Sequence, residues 1–452
     1  MDRTADLKVA IDAQIMPGTS GGVAPVVMGL IHALGHLDDG GEVYSIIVGS
    51  EQQLQWLKPF VGPNQQFILK SESGAAIERL WESGGRVTFP FLLKRALRPL
   101  LPAARYLQNL MRAQRCWPEV PISNGFYESL GCNVVHFPTH NFVLCALPTV
   151  YNPHDLQHLH YPQFFTPSTL AWRETIYPAG CHFARTVVVS SQWVKEDVIH
   201  QYGISPLKVQ VIPLAPPTDA YTEPSPEYLS LARSKYQLEQ PFALFPAITW
   251  PHKNHIRLLE ALAYLRDMRG LIIRLVCTGS RYEAFWPPIE RRVNELKLWP
   301  QVKFLGFVPE LDLRAIYRLS QCLILPTLFE ADSFPIYEAW LEGVPVACSN
   351  VTALPDQVSD AGLLFDPYSV ESIANTLAKL VTSDELQQEL RLRGYRRVKD
   401  FDWERTAKAY RAVYRRAAGY PPTEEDRWLL KWDWMRDPQR TKEGLQDVEA
   451  PL

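Results

Sequence analysis

Lys8-Val9-Ala10-Ile11-Asp12, then Gly18-Thr19-Ser20-Gly21-Gly22, then apolar residues at Val23, Val26, Val27, Leu30, Ile31 and Leu34, set the pattern of the chain. A short apolar run reads as a buried strand, the glycines as a turn, and the three-to-four spacing as one helix face. The pattern recurs outward from there. Further strands are expected at Val43–Val48 and at 133–137, 148–151 and 186–190. Short buried strands alternating with amphipathic helices describe a parallel sheet with helices on its faces.

A second series follows a change of composition. From Pro216-Pro217 to about Pro241 the chain is polar and proline-bearing, and we read residues 218–240 as a linker with one short helix. Strands are then expected at 242–245, 272–276, 302–305, Cys322–Leu325 and 344–347. The expected fold class is α/β, two doubly wound Rossmann-like domains facing a central cleft, with ligands at the carboxyl ends of the strands. The first domain takes residues 1–217 and the second 241–401. A tail spans 419–452 and carries Trp428, Trp432 and Trp434.

Composition narrows the function. The 452 residues are 46% hydrophobic and 21% charged, as in ordinary globular proteins, which excludes a disordered or fibrous chain. Net charge is −3, with 46 basic against 49 acidic residues, so no nucleic-acid partner is expected. The cysteines at 116, 132, 145, 181, 277, 322 and 348 form no Cys-x-x-Cys pair, and most sit in apolar runs as buried thiols would. The polar start Met1-Asp2-Arg3-Thr4-Ala5-Asp6 offers no signal-peptide core, and no apolar run reaches the ~18 residues of a membrane span. A cytoplasmic setting is expected.

Four stretches carry chemistry. In Phe329-Glu330-Ala331-Asp332-Ser333-Phe334-Pro335-Ile336-Tyr337-Glu338, Ser333 is placed to cap a helix with Pro335 in its first turn. Free N–H groups at such a start suit a phosphate, and the flanking Glu330 and Glu338 suit sugar or ribose hydroxyls. Two solvated glutamates at a helix start fit the same pattern. In Trp250-Pro251-His252-Lys253-Asn254, Asn254 reads as the cap of a helix burying Leu258, Leu259, Leu262 and Leu265. Lys253 then stands at a strand end, where it can neutralise a diphosphate or remain a surface lysine. The Gly21-Gly22 turn lets a backbone approach an anion, but it is neither Gly-x-Gly-x-x-Gly nor a phosphate loop, and a plain tight turn is the alternative. Finally, His154 and Asp155 follow the strand at 148–151, with His136, His140, His158 and His160 nearby. Their spacing matches no zinc pattern, so hydrogen-bonding histidines are expected and no metal.

Together these stretches resemble the family-4 retaining glycosyltransferases of GT-B architecture, in a bacterial mannosyltransferase-like branch. The Glu330/Glu338 spacing is the family's Glu, seven residues, Glu, followed by Ala339 and Gly343-Val344-Pro345-Val346. Trp250-Pro251-His252-Lys253-Asn254-His255 resembles a donor-phosphate motif, and Thr278-Gly279-Ser280 with Phe304-Leu305-Gly306-Phe307-Val308 resembles the base-holding strand ends. Phe401-Asp402-Trp403-Glu404 resembles the start of a helix, about 402–418, that returns to the first domain. There are departures. Ala247 stands where most members have arginine, and Glu330-Ala331-Asp332-Ser333 where Glu-Gly-Phe-Gly is commoner.

The resemblance implies sugar transfer from a nucleotide diphosphate donor, GDP-mannose first, to a hydroxyl of a glycan or lipid-linked acceptor, with retention. It implies that His154, Lys253 and Glu330 act in catalysis. The donor would be held by Gly21, Gly22, Lys253, Asn254, Gly279, Val308, Glu330, Ser333, Phe334, Pro335, Ile336 and Glu338. His154 and Asp155 would face the acceptor. No cofactor or metal is implied, and the leaving phosphate itself would take the acceptor's proton. A nucleotide-sugar epimerase, distinguished by donor turnover without acceptor, and a silent partner subunit, distinguished by absent donor binding, are the alternatives.

Residues 86–117 stand apart. Arg86, Lys94, Arg95, Arg98, Arg105, Arg112 and Arg115 face no acidic residue within the stretch, and Phe89, Phe91, Leu92, Leu93, Leu100 and Leu101 lie among them. Such a segment can lie in the headgroup plane, each cation contributing about 1 kcal/mol on an anionic leaflet. Pro90, Pro99 and Pro102 interrupt any long helix and suit the alternative, arginines facing solvent or a soluble anionic glycan. Peripheral membrane binding predicts co-sedimentation with liposomes that rises with anionic lipid, falls with salt, and is lost when Lys94, Arg95 and Arg98 become Ser together. Binding indifferent to lipid charge would exclude it.

Overall fold

The computed structural model describes residues 7–15, 22–70, 118–216, 222–238 and 241–431. Gly21, the basic stretch 86–117 and residues 432–452 lie outside the described residues. The chain divides into two compact units. The first holds Met1–Val188, Val198–Gln210 and Tyr410–Thr423, and the second holds Val189–Asp197, Val211–Ala409 and Glu424–Leu452.

The first unit is built on strands β1 (Lys8–Asp12), β2 (Val43–Val48), β3 (Gln65–Leu69), β4 (Val134–Phe137), β5 (Thr149–Tyr151), β6 (Thr186–Val189) and β7 (Val209–Val211). They lie in the order β3-β2-β1-β4-β5-β6-β7, and the pairs from β3 to β6 are parallel. The order turns back at β1, as in a doubly wound sheet. Val9, Ala10 and Ile11 of β1 are fully buried, as an interior parallel strand requires. Helix α1 (Val23–Gly35) follows, with Val23, Val26, Val27, Leu30, Ile31 and Leu34 all buried. Helix α2 (Pro167–Phe183) starts on Thr166, whose side chain accepts from the Thr169 N–H.

In the second unit, β8 (Phe242–Pro246), β9 (Arg274–Thr278), β10 (Val302–Gly306), β11 (Cys322–Leu325), β12 (Val346–Ser349) and β13 (Gly362–Phe365) lie in the order β10-β9-β8-β11-β12-β13. Every neighbouring pair is parallel. Helix α3 (Pro226–Lys235) occupies the stretch read as linker. It is the short helix expected there, and it is docked because Tyr228, Lys235 and Tyr236 all donate to the buried Asp312 carboxylate. Helices α4 (His255–Arg269), α5 (Glu310–Leu319) and α6 (Phe334–Leu341) follow β8, β10 and β11. Leu258, Leu259, Leu262 and Leu265 form the buried face of α4.

Two strands begin two residues later than the apolar runs suggest. Strand β9 starts at Arg274, not Ile272, because Gly270 at φ +62° and the Leu271 N–H to Leu265 carbonyl bond are still closing α4. Ile272 is left exposed. Strand β12 starts at Val346, not Val344. Pro345 has no N–H for a ladder, and its carbonyl instead accepts from Leu323.

The last long helix, α7 (Trp403–Ala418), belongs to the second unit through Ala409 and to the first from Tyr410. The Asp402 side chain accepts from the Arg405 N–H and opens it. Its C-terminal half is fastened to the first unit by buried polar groups. Asn152 Nδ2 donates to the Tyr410 hydroxyl at 2.6 Å, His136 Nε2–H donates to Asn152 Oδ1 at 2.8 Å, and the Tyr414 hydroxyl donates to His136 Nδ1 at 2.8 Å. This chain of bonds needs His136 neutral, and burial pushes its pKa down to about 3. Arg411 adds a two-pronged pair to Asp39, at 2.5 and 3.1 Å.

His255 is similarly buried, with its ring 4.4 Å from that of Phe245 and 6.4 Å from that of Phe304. Burial, aided by the charge of Lys253, lowers its pKa to about 3, against 6.5 in an unfolded chain. Below pH 6.5 the unfolded chain therefore binds a proton that the folded protein refuses, and stability is lost as pH falls. Comparing His255→Phe with wild type by urea unfolding between pH 7 and 4, we expect wild type to lose roughly 1.4 kcal/mol more per pH unit below about 6. Parallel curves would mean that the folded imidazole takes the proton freely.

Candidate active site

Strand ends β8, β9 and β10 are laced into one rim. Gly279 follows β9 at φ +102°, and a Cβ there would lie 2.6 Å from the Ala247 carbonyl carbon. Only glycine fits both the conformation and the approach. Its N–H donates to Gly306 O at 2.8 Å, while the Ala247 N–H donates to Thr278 O at 3.0 Å. Gly306 turns at φ +74°, after which Phe307 is 75% exposed and Val308 is buried.

Lys253 ends a tight turn, Pro251–Lys253, just beyond β8. Asn254 stands at the cap position of α4 but does not cap it. It adopts φ 63°, and its amide instead donates to the Pro326 and Pro367 carbonyls, both at 2.9 Å. A left-handed backbone turns the side chain away from the helix's first amides, so Asn254 ties loops together. Lys253 Nζ reaches Glu330 Oε1 at 2.5 Å, and the two side chains are 19% and 12% exposed. The sequence suggests each residue separately; the structure shows them as an ion pair.

Glu330 is anchored at its backbone, with its N–H donating to Thr352 Oγ1 and the Thr352 hydroxyl donating back to its carbonyl. Ser333 occupies the cap position of α6, yet its hydroxyl makes no cap bond. Its N–H donates to Asp332 Oδ1 and Gln357 Oε1, and Gln357 Nε2 donates to its carbonyl. The anion-ready start is therefore narrower than the sequence implies. Pro335 has no N–H, the Ile336 N–H donates to Ser333 O, and the Phe334 amide is the one those bonds leave open.

Further along α6, Glu338 accepts from the Tyr317 hydroxyl at 2.8 Å. Burial, with Glu342 adding to it, raises its pKa despite that bond. Glu310, first residue of α5, is pushed up to about 7 by burial and then by the charge of Glu338, partly offset by Arg314. Glu310, Tyr317, Gln357 and Thr352 went unnoticed in the sequence, since nothing in their spacing marks which side chains converge across separate strand–helix units.

In the first unit, His154 follows β5 at φ 61° and its Nε2–H donates to Pro138 O at 2.8 Å, which leaves Nδ1 as an acceptor. Burial lowers its pKa. Burial also pushes Asp155 up, but Arg173, 3.2 Å away on α2, together with His140, the Gln157 N–H and His154 outweighs this and holds the carboxyl below its usual range. Asp155 also accepts from the Gln157 N–H, so it braces a turn. The expectation of hydrogen-bonding histidines holds for His136 but not for His158, whose buried ring nitrogens make no hydrogen bond and whose ring lies edge-on to Tyr177 at 5.0 Å. Among the described residues no three His, Cys, Asp or Glu side chains gather as metal ligands. Gly22 stands at the cap of α1 with φ −67°, a conformation open to any residue.

Two doubly wound sheets with functional groups at the strand ends define the GT-B class of nucleotide-sugar enzymes. Structural likeness agrees with that fold. A glycosyltransferase from Rickettsia africae aligns with TM-score 0.61 at 15% identity, over 92% of this chain and 99% of that one. Anabaena HepE in complex with UDP-glucose gives 0.61 at 16%, over 90% and 99%. Two family models match in chain order, Glycosyltransferase Family 4 over residues 71–219 and Glycosyl transferases group 1 over 231–397. The chain carries both domains of the family-4 glycosyltransferases and belongs with them. It is 29% identical to O-antigen chain mannosyltransferase B of Escherichia coli over 58% of this chain and 69% of that protein. It is 27% identical to D-inositol 3-phosphate glycosyltransferase of Corynebacterium efficiens, over 52% and 57%. To the serotype-specific mannosyltransferase WbdA of Escherichia coli it is also 27% identical, over 50% of this chain but only 28% of that protein. The match to the relatives thus spans from about a quarter to about two thirds of their lengths.

Asp332, where the resemblance leads one to expect an aromatic residue, is raised to about 7 by burial first, with Glu330 pushing the same way. Its folded pKa exceeds the unfolded 3.8, so its contribution to stability is present at low pH and lost as pH rises toward 7. The isosteric Asp332→Asn has no such loss. Measured by urea unfolding, the variant should gain on wild type from about pH 4 to about pH 7 and level off above that. A constant difference would mean that the carboxyl ionises without cost.

Proposed function

We propose that this protein transfers a sugar from a nucleotide diphosphate donor, GDP-mannose first, to a hydroxyl of a glycan or lipid-linked acceptor, with retention at the anomeric carbon. The observation that carries the reading is the Lys253–Glu330 pair at the ends of β8 and β11, beside the open Phe334 amide. A cation and an amide donor suit a diphosphate, and a carboxylate suits sugar hydroxyls. The mannosyltransferase relatives support mannose as the sugar.

In this reaction the bond from the anomeric carbon to the diphosphate oxygen breaks, and a bond to the acceptor oxygen forms on the same face. The acceptor's proton goes to the departing phosphate. Lys253 and the start of α6 oppose the charge that grows on the diphosphate. Glu330 holds hydroxyls of the sugar, Glu338 holds the ribose, and the Val308 backbone meets the base. His154 and Asp155 serve the acceptor side, His154 through its Nδ1 lone pair. No metal takes a role in this scheme. The two family models favour transfer over epimerisation, and the intact ion pair favours an active enzyme over a silent subunit.

A thermal-shift screen of nucleotide sugars should show stabilisation by GDP-mannose above UDP-glucose. Lys253→Ala should then cost donor binding roughly 1.5–3 kcal/mol while leaving guanosine binding nearly unchanged, and Glu330→Gln should cripple transfer with the fold intact. Equal losses for donor and nucleoside would take Lys253 out of the phosphate site, and no stabilisation by any nucleotide sugar would overturn the reading.

A further inference from the structure

Lys253, the cation of the strand-end rim, is engaged by a carboxylate of the protein itself. Its ammonium lies 2.5 Å from Glu330 Oε1. A carboxylate oxygen there makes the charge-assisted bond that a phosphate oxygen would make. Ala247, six residues earlier, is buried and adds no charge, so the pair is locally neutral. Thr352 holds both the N–H and the carbonyl of Glu330, which fixes the backbone from which the carboxylate reaches Lys253.

We propose that Glu330 is an internal stand-in for the donor's diphosphate, and that this makes the site prefer the intact nucleotide sugar to the bare nucleoside diphosphate left after transfer. The inference rests on the donor-site reading above. A bare nucleoside diphosphate takes Lys253 and leaves Glu330 nearly buried, unpartnered and beside an anion, the costly outcome when a buried pair is broken. An intact nucleotide sugar makes the same claim on Lys253 but brings hydroxyls that donate to the freed carboxylate. The exchange is balanced only for the donor. After transfer those hydroxyls depart with the sugar, and Glu330 recaptures Lys253 as the nucleoside diphosphate leaves.

The test is calorimetric binding of GDP and GDP-mannose, with UDP and UDP-glucose beside them, to the full chain. Four proteins are compared: wild type, Glu330→Gln, Lys253→Ala and the double variant. Glu330→Gln should bind the bare diphosphate at least fivefold more tightly than wild type and should lose the preference for the nucleotide sugar. Glu330→Ala, which removes the carboxylate without adding an amide, should shift the diphosphate in the same sense. In the Lys253→Ala background the Glu330 substitution should change diphosphate binding less than twofold. Unchanged or weakened diphosphate binding in both Glu330 variants overturns the stand-in. Tightening that persists without Lys253 also overturns it, since simple repulsion would then suffice. If wild type binds neither a diphosphate nor a nucleotide sugar, the donor-site reading falls and the inference falls with it.

Discussion

A parallel strand cannot be returned by a hairpin, and everything here follows from that constraint. Each strand must be followed by a crossover, so all the carboxyl ends of a sheet open on one edge. In the second unit that edge gathers Lys253 after β8, Gly279 after β9, Val308 after β10 and Glu330 after β11. These residues are 77 positions apart or less, yet no local motif joins them. The close approach of Gly279 to the Ala247 carbonyl sets how tightly neighbouring ends converge. A side chain there would pry apart the rim on which the other groups stand.

The ion pairs of the second unit are arranged around neutrality rather than excess positive charge. Lys253 meets Glu330, Arg314 meets Glu342, and Asp312 is satisfied by Lys235 and two tyrosines. Against this background the carboxyls at 310 and 332 are raised to about 7 by burial. A site with few uncompensated charges gains affinity for an anion by exchanging partners, not by attraction from afar.

The sheets were legible because their strands are short, buried on both faces and therefore nearly continuously apolar. Val43–Val48 and Cys322–Leu325 coincide with their apolar runs end to end. Strands β3, β7 and β13 were not recognised. β3 is largely half-exposed, with Gln65 and Gln66 in a five-residue strand, and β7 is three residues long. Caps were misread for a related reason. Ser333 and Asn254 have the right residue type in the right place, but bonds from Gln357 and to Pro326 and Pro367 come from remote segments. Spacing and resemblance single out Lys253 and Glu330 separately, whereas their pairing depends on side-chain reach across strand ends.

The buried hydrogen-bonded series Tyr410, Asn152, His136 and Tyr414 also bears on how the protein is made. Asn152 and Tyr410 are 258 residues apart, and His136 and Tyr414 are 278 apart. As the polypeptide emerges from the ribosome, the strands of the first unit are complete by Val211, but His136 and Asn152, bonded to each other, still lack Tyr414 and Tyr410. Those partners arrive only after the second unit has been synthesised. The first half of the molecule to appear is thus the last to be fully closed, and it spends the intervening synthesis time with unsealed polar groups in its interior. A message truncated before codon 410 would yield both sheets yet leave the earlier one open.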